Sequence, residues 1–303
     1  MTNGASGALN SAPIGVFDSG VGGLTVLKAL GSELPGETFI YLGDTARLPY
    51  GTKSPETVAR YSVQAAEKLQ SFGIKALVVA CNTASAVGLP AIREHLNGIP
   101  VIGVIEPGAE AACRTSRTGH IAVIGTEGTV RGGAYQEAIQ RRRPDAKVSA
   151  RSTQLFVALA EEGMHEGPIA EAVAQHYLDA IFDPPGAAPG SGAAPDTLVL
   201  GCTHFPMLAT AIRSAVGSSV RIVDSAATTA KVVREQLAGA RLLGGTGRTT
   251  NYTEAGVMWQ TIIHIVFILS AVGIAYVDRL SSGITAPPHG KPHKGGGHGE
   301  AAH

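Results

Sequence analysis

Two of the three cysteines in the chain, Cys81 and Cys202, stand at the same point of one local pattern. ALVVACNTAS, residues 76–85, and TLVLGCTHFP, residues 197–206, each run from an apolar, β-favouring stretch through cysteine into small hydroxyl or amide residues and a helix-like segment. Paired thiols suit several chemistries. A redox couple favours Cys-x-x-Cys spacing, which neither cysteine has, and a zinc site needs three or four ligands, whereas Cys81, Cys202 and His204 offer no close pair. A cysteine hydrolase uses one thiolate, a base and an oxyanion hole, and leaves the second thiol without a role. A two-base proton transfer uses both. One thiolate takes a proton from one face of a carbon acid and the opposite thiol delivers a proton to the other, inverting the configuration. An ordinary thiol ionises near about 8.5, and helix amino termini lower that value. Both cysteines precede candidate helix starts, where backbone amides favour a thiolate and bind a carboxylate.

The elements that must position this chemistry are strands feeding helices. Ligands of open α/β sheets bind beyond the carboxyl ends of the strands. Asp18, Ser19, Asp44, Cys81, Asn82, Cys202, Thr203 and His204 all fall at such ends. Each has a structural explanation alone: Asp18, Ser19, Asn82 and Thr83 suit helix caps, and an isolated buried cysteine is usually a small core residue. Their clustering favours a site, in which Ser19, Asn82, Thr83 and Thr203 bind carboxylate and ammonium groups while Asp18 and His204 tune or relay protons. Cys113, in AACRTSR, has no matching pattern and reads as structural.

At 303 residues the chain can bury a large core, and 24 basic residues against 24 acidic ones create no global field for nucleic acid. The 39 glycines and 5% aromatics suit tight strand-to-helix turns. MTNGASGALNSAP lacks the basic start and apolar core of a secretion signal, so a reducing, cytoplasmic compartment is expected. Continuous apolar runs alternate with helical periods: IGVF, TFIYLGD, KALVVA and IPVIGVI, the last expected to end near Glu106, then HIAVIG, AKVSARST, TLVLG and VRIVD. That alternation implies parallel sheets covered on both faces. HIAVIGTEGTVRGGAYQEAI echoes IGVFDSGVGGLTVLKAL as TLVLGCTHFP echoes ALVVACNTAS, so two similar α/β halves are expected.

FDSGVGGLTVL, YLGDTARLPYG, VVACNTASA, IGVIEPGA, IAVIGTEGTV, LAEEG and LGCTHFP, in this order between about Ile14 and Leu237, resemble the glutamate racemase family. The resemblance implies two pseudo-symmetric parallel-sheet α/β domains facing across a cleft, with residues 13–105 and 223–240 forming the first and 106–222 the second. It implies interconversion of L- and D-glutamate without cofactor or metal, supplying D-glutamate for peptidoglycan, in a homo-oligomer, a dimer, that requires no nucleic acid. Cys81 and Cys202 match the catalytic pair. Asp18 and Ser19, Tyr50 and Gly51, Asn82 and Thr83, and Thr203 and His204 match substrate-contacting pairs, with Asp18 assisting the first cysteine and His204 the second. Asp44 and Glu161 match acidic catalytic positions, with Glu162 as the alternative to Glu161. An aspartate racemase-type enzyme, or a non-catalytic racemase-like membrane-associated scaffold, stands as the other reading.

The chain departs from that pattern at its end. Residues 1–12 and the Gly/Pro/His-rich tail 278–303 are expected to be disordered, and 241–255 reads as a linker or fusion seam. Residues 256–277 are uncharged and long enough to cross a bilayer as a hydrophobic helix. That segment resembles the last membrane helix of a small bacterial inner-membrane protein family, implying an inner-membrane anchor with the catalytic part in the cytoplasm.

Overall fold

The computed structural model describes residues 10–182, 194–244 and the backbone of 263–267. The chain alternates strand and helix: β1 (Ile14–Asp18), α1 (Leu24–Glu33), β2 (Phe39–Gly43), α2 (Pro55–Gln70), β3 (Ala76–Val79), α3 (Asn82–Val87), α4 (Leu89–His95), β4 (Val101–Gly103) and α5 (Ile105–Thr115). It continues as β5 (His120–Gly125), α6 (Glu127–Arg131), α7 (Ala134–Arg142), β6 (Lys147–Ser152), α8 (Leu155–Glu161), α9 (Pro168–Phe182), β7 (Thr197–Gly201), α10 (Ala209–Val216), β8 (Arg221–Asp224), α11 (Ser225–Gly239) and β9 (Ile263–Phe267). All pairings between strands are parallel. One sheet runs β4-β3-β1-β2-β9 and the other β6-β5-β7-β8. Read from β2 to β4, the first sheet has the order of the second read from β6 to β8, and β3 and β7 are equivalent strands. The cysteine repeat is therefore an architectural repeat.

The continuous apolar runs have the burial they imply. Ile14, Val16 and Val78 pack on one face of the first sheet with Leu27 and Leu30 of α1, and Phe17, Leu77 and Val79 pack on the other with Val58 and Leu69 of α2. The second sheet is likewise covered by α8, α9 and α10 on one face and by α5 and α7 on the other. Ser54 caps α2, its hydroxyl accepting the Thr57 N–H at 3.3 Å, with Pro55 in the first turn. The chain returns to the first half at Asp224, which caps α11. Ala226, Ala230, Val233 and Leu237 of that helix join the core of Ile14 and Leu30.

Three expectations are corrected. The strand expected to run to Glu106 stops at Gly103. Glu106 and Pro107 lie in the first turn of α5, where proline's missing N–H has no partner to lose. Within the segment 256–277, expected to form one helix, Ile263–Phe267 is instead an extended strand paired in register with Phe39–Gly43. The unpaired N–H and C=O groups along the edge of β2 accept a fifth strand, and an uncharged run rich in β-branched residues suits that place as well as it suits a membrane. Among the described residues no helix is long and apolar enough to cross a membrane. The rest of that run and the tail 278–303 lie outside the described residues. Finally, the expected disorder does not extend to Asn10. Lys75 Nζ donates to its carbonyl at 2.8 Å, and the Glu37 carboxylate, paired with Lys75, accepts the Gly244 N–H at 2.6 Å.

Candidate active site

The carboxyl ends of β1, β3 and β7 open on one cavity of about 400 Å³. Cys81 follows β3 and caps α3: its sulfur accepts the Ala84 N–H at 3.4 Å and lies 3.4 Å from Ser19 Oγ. Burial pushes the Cys81 thiol up to about 12, the negative charge of Asp18 adding to the shift while Ser19 and the Ala84 amide oppose it. The side chain is therefore a proton-bearing thiol at neutral pH. Asp18 ends β1 and is fully buried; its Oδ2 accepts the N–H groups of Gly20 at 3.0 Å and Gly23 at 3.1 Å, and its Oδ1 has no partner among the described residues. Burial holds this carboxyl above its ordinary range, against the pull of the His204 charge and the backbone amides.

Cys202 follows β7 on the opposite side. Its Sγ lies 3.6 Å from His204 Nδ1, and His204 Nε2 lies 2.5 Å from Glu161 Oε1. Burial alone would lower the His204 pKa, but hydrogen bonds to Cys202 and Glu161 carry it up to about 10. The His204 ring thus stands between the Cys202 sulfur and the Glu161 carboxyl group.

Ser19, Tyr50, Gly51, Asn82 and Thr83 line the cavity from the first half, and Glu161, Thr203 and His204 from the second. Asp18 and Asp44 are not in the wall but behind it. Asp44 accepts the Tyr50 hydroxyl at 2.6 Å and Arg47 Nε at 2.6 Å, which fixes the phenol at the cavity edge. Of the two candidate glutamates, Glu161 reaches His204, whereas Glu162 is exposed and outside the lining.

Three participants were not read from the sequence. Thr126, at the start of α6, lines the cavity and lies 2.9 Å from the Thr83 hydroxyl. Gln154, before α8, contributes a buried Oε1 without a partner among the described residues. Tyr135 of α7 donates to Asn82 Oδ1 at 2.8 Å. The position of Thr126 after β5, equivalent to Ser19 after β1, was the available signal. Nothing local marks Tyr135 or Gln154. Cys81, Cys113 and Cys202 are all free thiols, and no group of three or more His, Cys, Asp or Glu among the described residues is placed to hold a metal ion.

Residues 14–233 match the family model described as Asp/Glu/Hydantoin racemase. The chain is 52% identical over 239 residues to a glutamate racemase of Geobacter metallireducens, covering 79% of this chain and 85% of that protein. Among solved structures it is similar to the glutamate racemase of Francisella tularensis in complex with D-glutamate (TM-score 0.75, 33% identity, 89% of this chain and 94% of that one). It is also similar to that of Thermus thermophilus in complex with beta-chloro-D-alanine (TM-score 0.74, 42% identity, 89% and 93%).

Proposed function

The chain belongs to the Asp/Glu/hydantoin racemase family, and from that premise we infer that it interconverts L- and D-glutamate by two-base proton transfer between Cys81 and Cys202. The observation that carries this reading is the equivalent placement of the two thiols after β3 and β7, on one buried cavity. An α-carbon held between them meets a sulfur on each face. In one direction the Cys81 sulfur, as thiolate, removes the α-proton and the Cys202 thiol returns one to the other face. In the reverse direction the roles exchange. Asp18, whose charge reaches Cys81, is the nearby base that can take up the Cys81 proton, and the His204 imidazolium, held by Glu161, stabilises a thiolate at Cys202. Ser19, Asn82, Thr83 and Thr203 offer neutral hydrogen bonds to the carboxylates and ammonium of the amino acid. These bonds leave the charge that develops at the α-carbon to be stabilised by oriented donors in the cavity. The D-glutamate formed would supply peptidoglycan, as the family resemblance implies.

The test is racemisation of L-glutamate in deuterated water, followed by circular dichroism and mass spectrometry. D-glutamate should appear with one deuterium at the α-carbon. Cys81→Ala and Cys202→Ala should each reduce turnover by at least about a thousandfold, since each removes an obligatory proton carrier. Turnover of L-aspartate in preference to L-glutamate, or no α-proton exchange at high protein concentration, would sink the assignment.

A further inference from the structure

Tyr135 is a fully buried side chain that touches the turns of both thiols. A Cβ built on Gly201, the residue before Cys202, would lie 3.1 Å from Cε2 of its ring, and one built on Gly108 of α5 would lie 3.1 Å from Cε1 and from the hydroxyl. The ring is thus seated against glycine backbone on two sides. Its hydroxyl crosses to the other half of the molecule and donates to Asn82 Oδ1 at 2.8 Å, one residue beyond Cys81. Burial drives the phenol's ionisation well upward, so it remains a donor across the accessible pH range.

Asn82 is 2% exposed and lines the cavity, and its Nδ2 is buried with no partner among the described residues. A carboxamide carries its acceptor at one end and its two donors at the other. A bond that fixes Oδ1 on the Tyr135 side therefore turns Nδ2 away from it, and a buried donor left unpaired by the protein is stabilised by a ligand acceptor.

We propose that Tyr135 is a positioning residue that locks the Asn82 amide with its donor end toward the cavity, where it binds a carboxylate of the amino-acid substrate. The proposal rests on the glutamate racemase reading above. Without the hydroxyl the amide can rotate, presenting Oδ1 to the carboxylate and weakening binding in the ground and transition states alike. The effect falls on KM and leaves proton transfer intact.

The experiment measures L-glutamate racemisation by the full chain carrying Tyr135→Phe, Asn82→Ala, or both. Loss of one buried hydrogen bond predicts a rise in KM of about fivefold to tenfold for Tyr135→Phe, with kcat within about twofold and a thermal midpoint within a few degrees of the parent. In the Asn82→Ala background the same change should add less than about twofold, because the group it orients is gone. An unchanged KM in Tyr135→Phe, a loss confined to kcat, or KM effects that multiply independently in the double variant would overturn the proposal. Tyr135→Met, which keeps bulk without the donor, replaces Tyr135→Phe if that variant does not fold. Failure of both to fold assigns Tyr135 to the core alone and equally overturns it. An inactive parent protein would instead refute the racemase reading, so the two failures are distinct.

Discussion

At the scale of single residues, the two thiols occupy equivalent positions but unlike surroundings. Cys81 is flanked by Ser19 and reached by the charge of a buried carboxyl, Asp18, whereas Cys202 faces an imidazole that is itself held by Glu161. The His204 pKa of about 10 depends on those hydrogen bonds, since burial works against the charged ring. Replacing Glu161 with Gln removes one of the two supports, so the His204 pKa should fall and the alkaline limb of kcat/KM should move toward neutral pH. At pH 8 the loss should be on the order of tenfold to a hundredfold, the range of a misplaced proton-transfer partner. A pH–rate profile that superimposes on the parent's would contradict this. The same group gives stability a definite sign. Its folded pKa lies above the unfolded value of 6.5, so its contribution is complete below pH 6.5 and is lost as pH rises through 10. The thermal midpoint of the parent should decline across that window, and Glu161→Gln should flatten the decline.

At the scale of elements, α11 shows how the first half is completed by a segment distant in sequence. Leu237 is fully buried in the core of Ile14, Leu30 and Val233, so Leu237→Ala should destabilise the protein by about 2–5 kcal/mol, read as a shift in the urea midpoint at constant slope. A change below about 0.5 kcal/mol would mean that α11 is not anchored in that core. The strands that build the two sheets were legible in the sequence because both faces are covered, which makes each strand a continuous apolar run bounded by turn residues. The same property misled at the other end of the chain. Periodicity cannot separate a buried strand from a buried helix, and Ile263–Phe267 becomes a strand only because β2 presents a free edge, a fact located 224 residues earlier in the register of Gly43 with Phe267 and its neighbours. The cysteines were legible because each carries its own local pattern. Tyr135 was not, because its partner Asn82 is 53 residues away, and Thr126 acts on Thr83 across 43.

At the scale of the whole molecule, function depends on how closely the halves approach across the cavity. The contact is made at small residues: a Cβ on Gly51 would fall 2.5 Å from Thr126 Cβ, and one on Gly128 would fall 3.0 Å from Thr83 Cγ2 and 3.2 Å from the Gly51 carbonyl. Thr126 cannot yield by rotating, because the clashing atom is bound directly to its backbone and its hydroxyl is tied to Thr83 and to Thr129 at 3.0 Å. Gly51→Ala must therefore separate the halves at the cavity rim by roughly the missing distance, which moves the two sulfurs apart. Misplacement on the order of 1 Å costs about a hundredfold in rate, so kcat/KM should fall by about that factor. Each half keeps its own core, and the thermal midpoint should drop by only a few degrees. Gly73 provides the contrast. It has a φ of 69° with nothing near its Cβ position, far from the cavity, so Gly73→Ala should lower stability through backbone strain of about 1 kcal/mol while leaving kcat/KM unchanged. If instead Gly51→Ala lost stability and kept its activity, the glycine contact would belong to folding, and close approach of the halves would not be what sets the distance between the thiols.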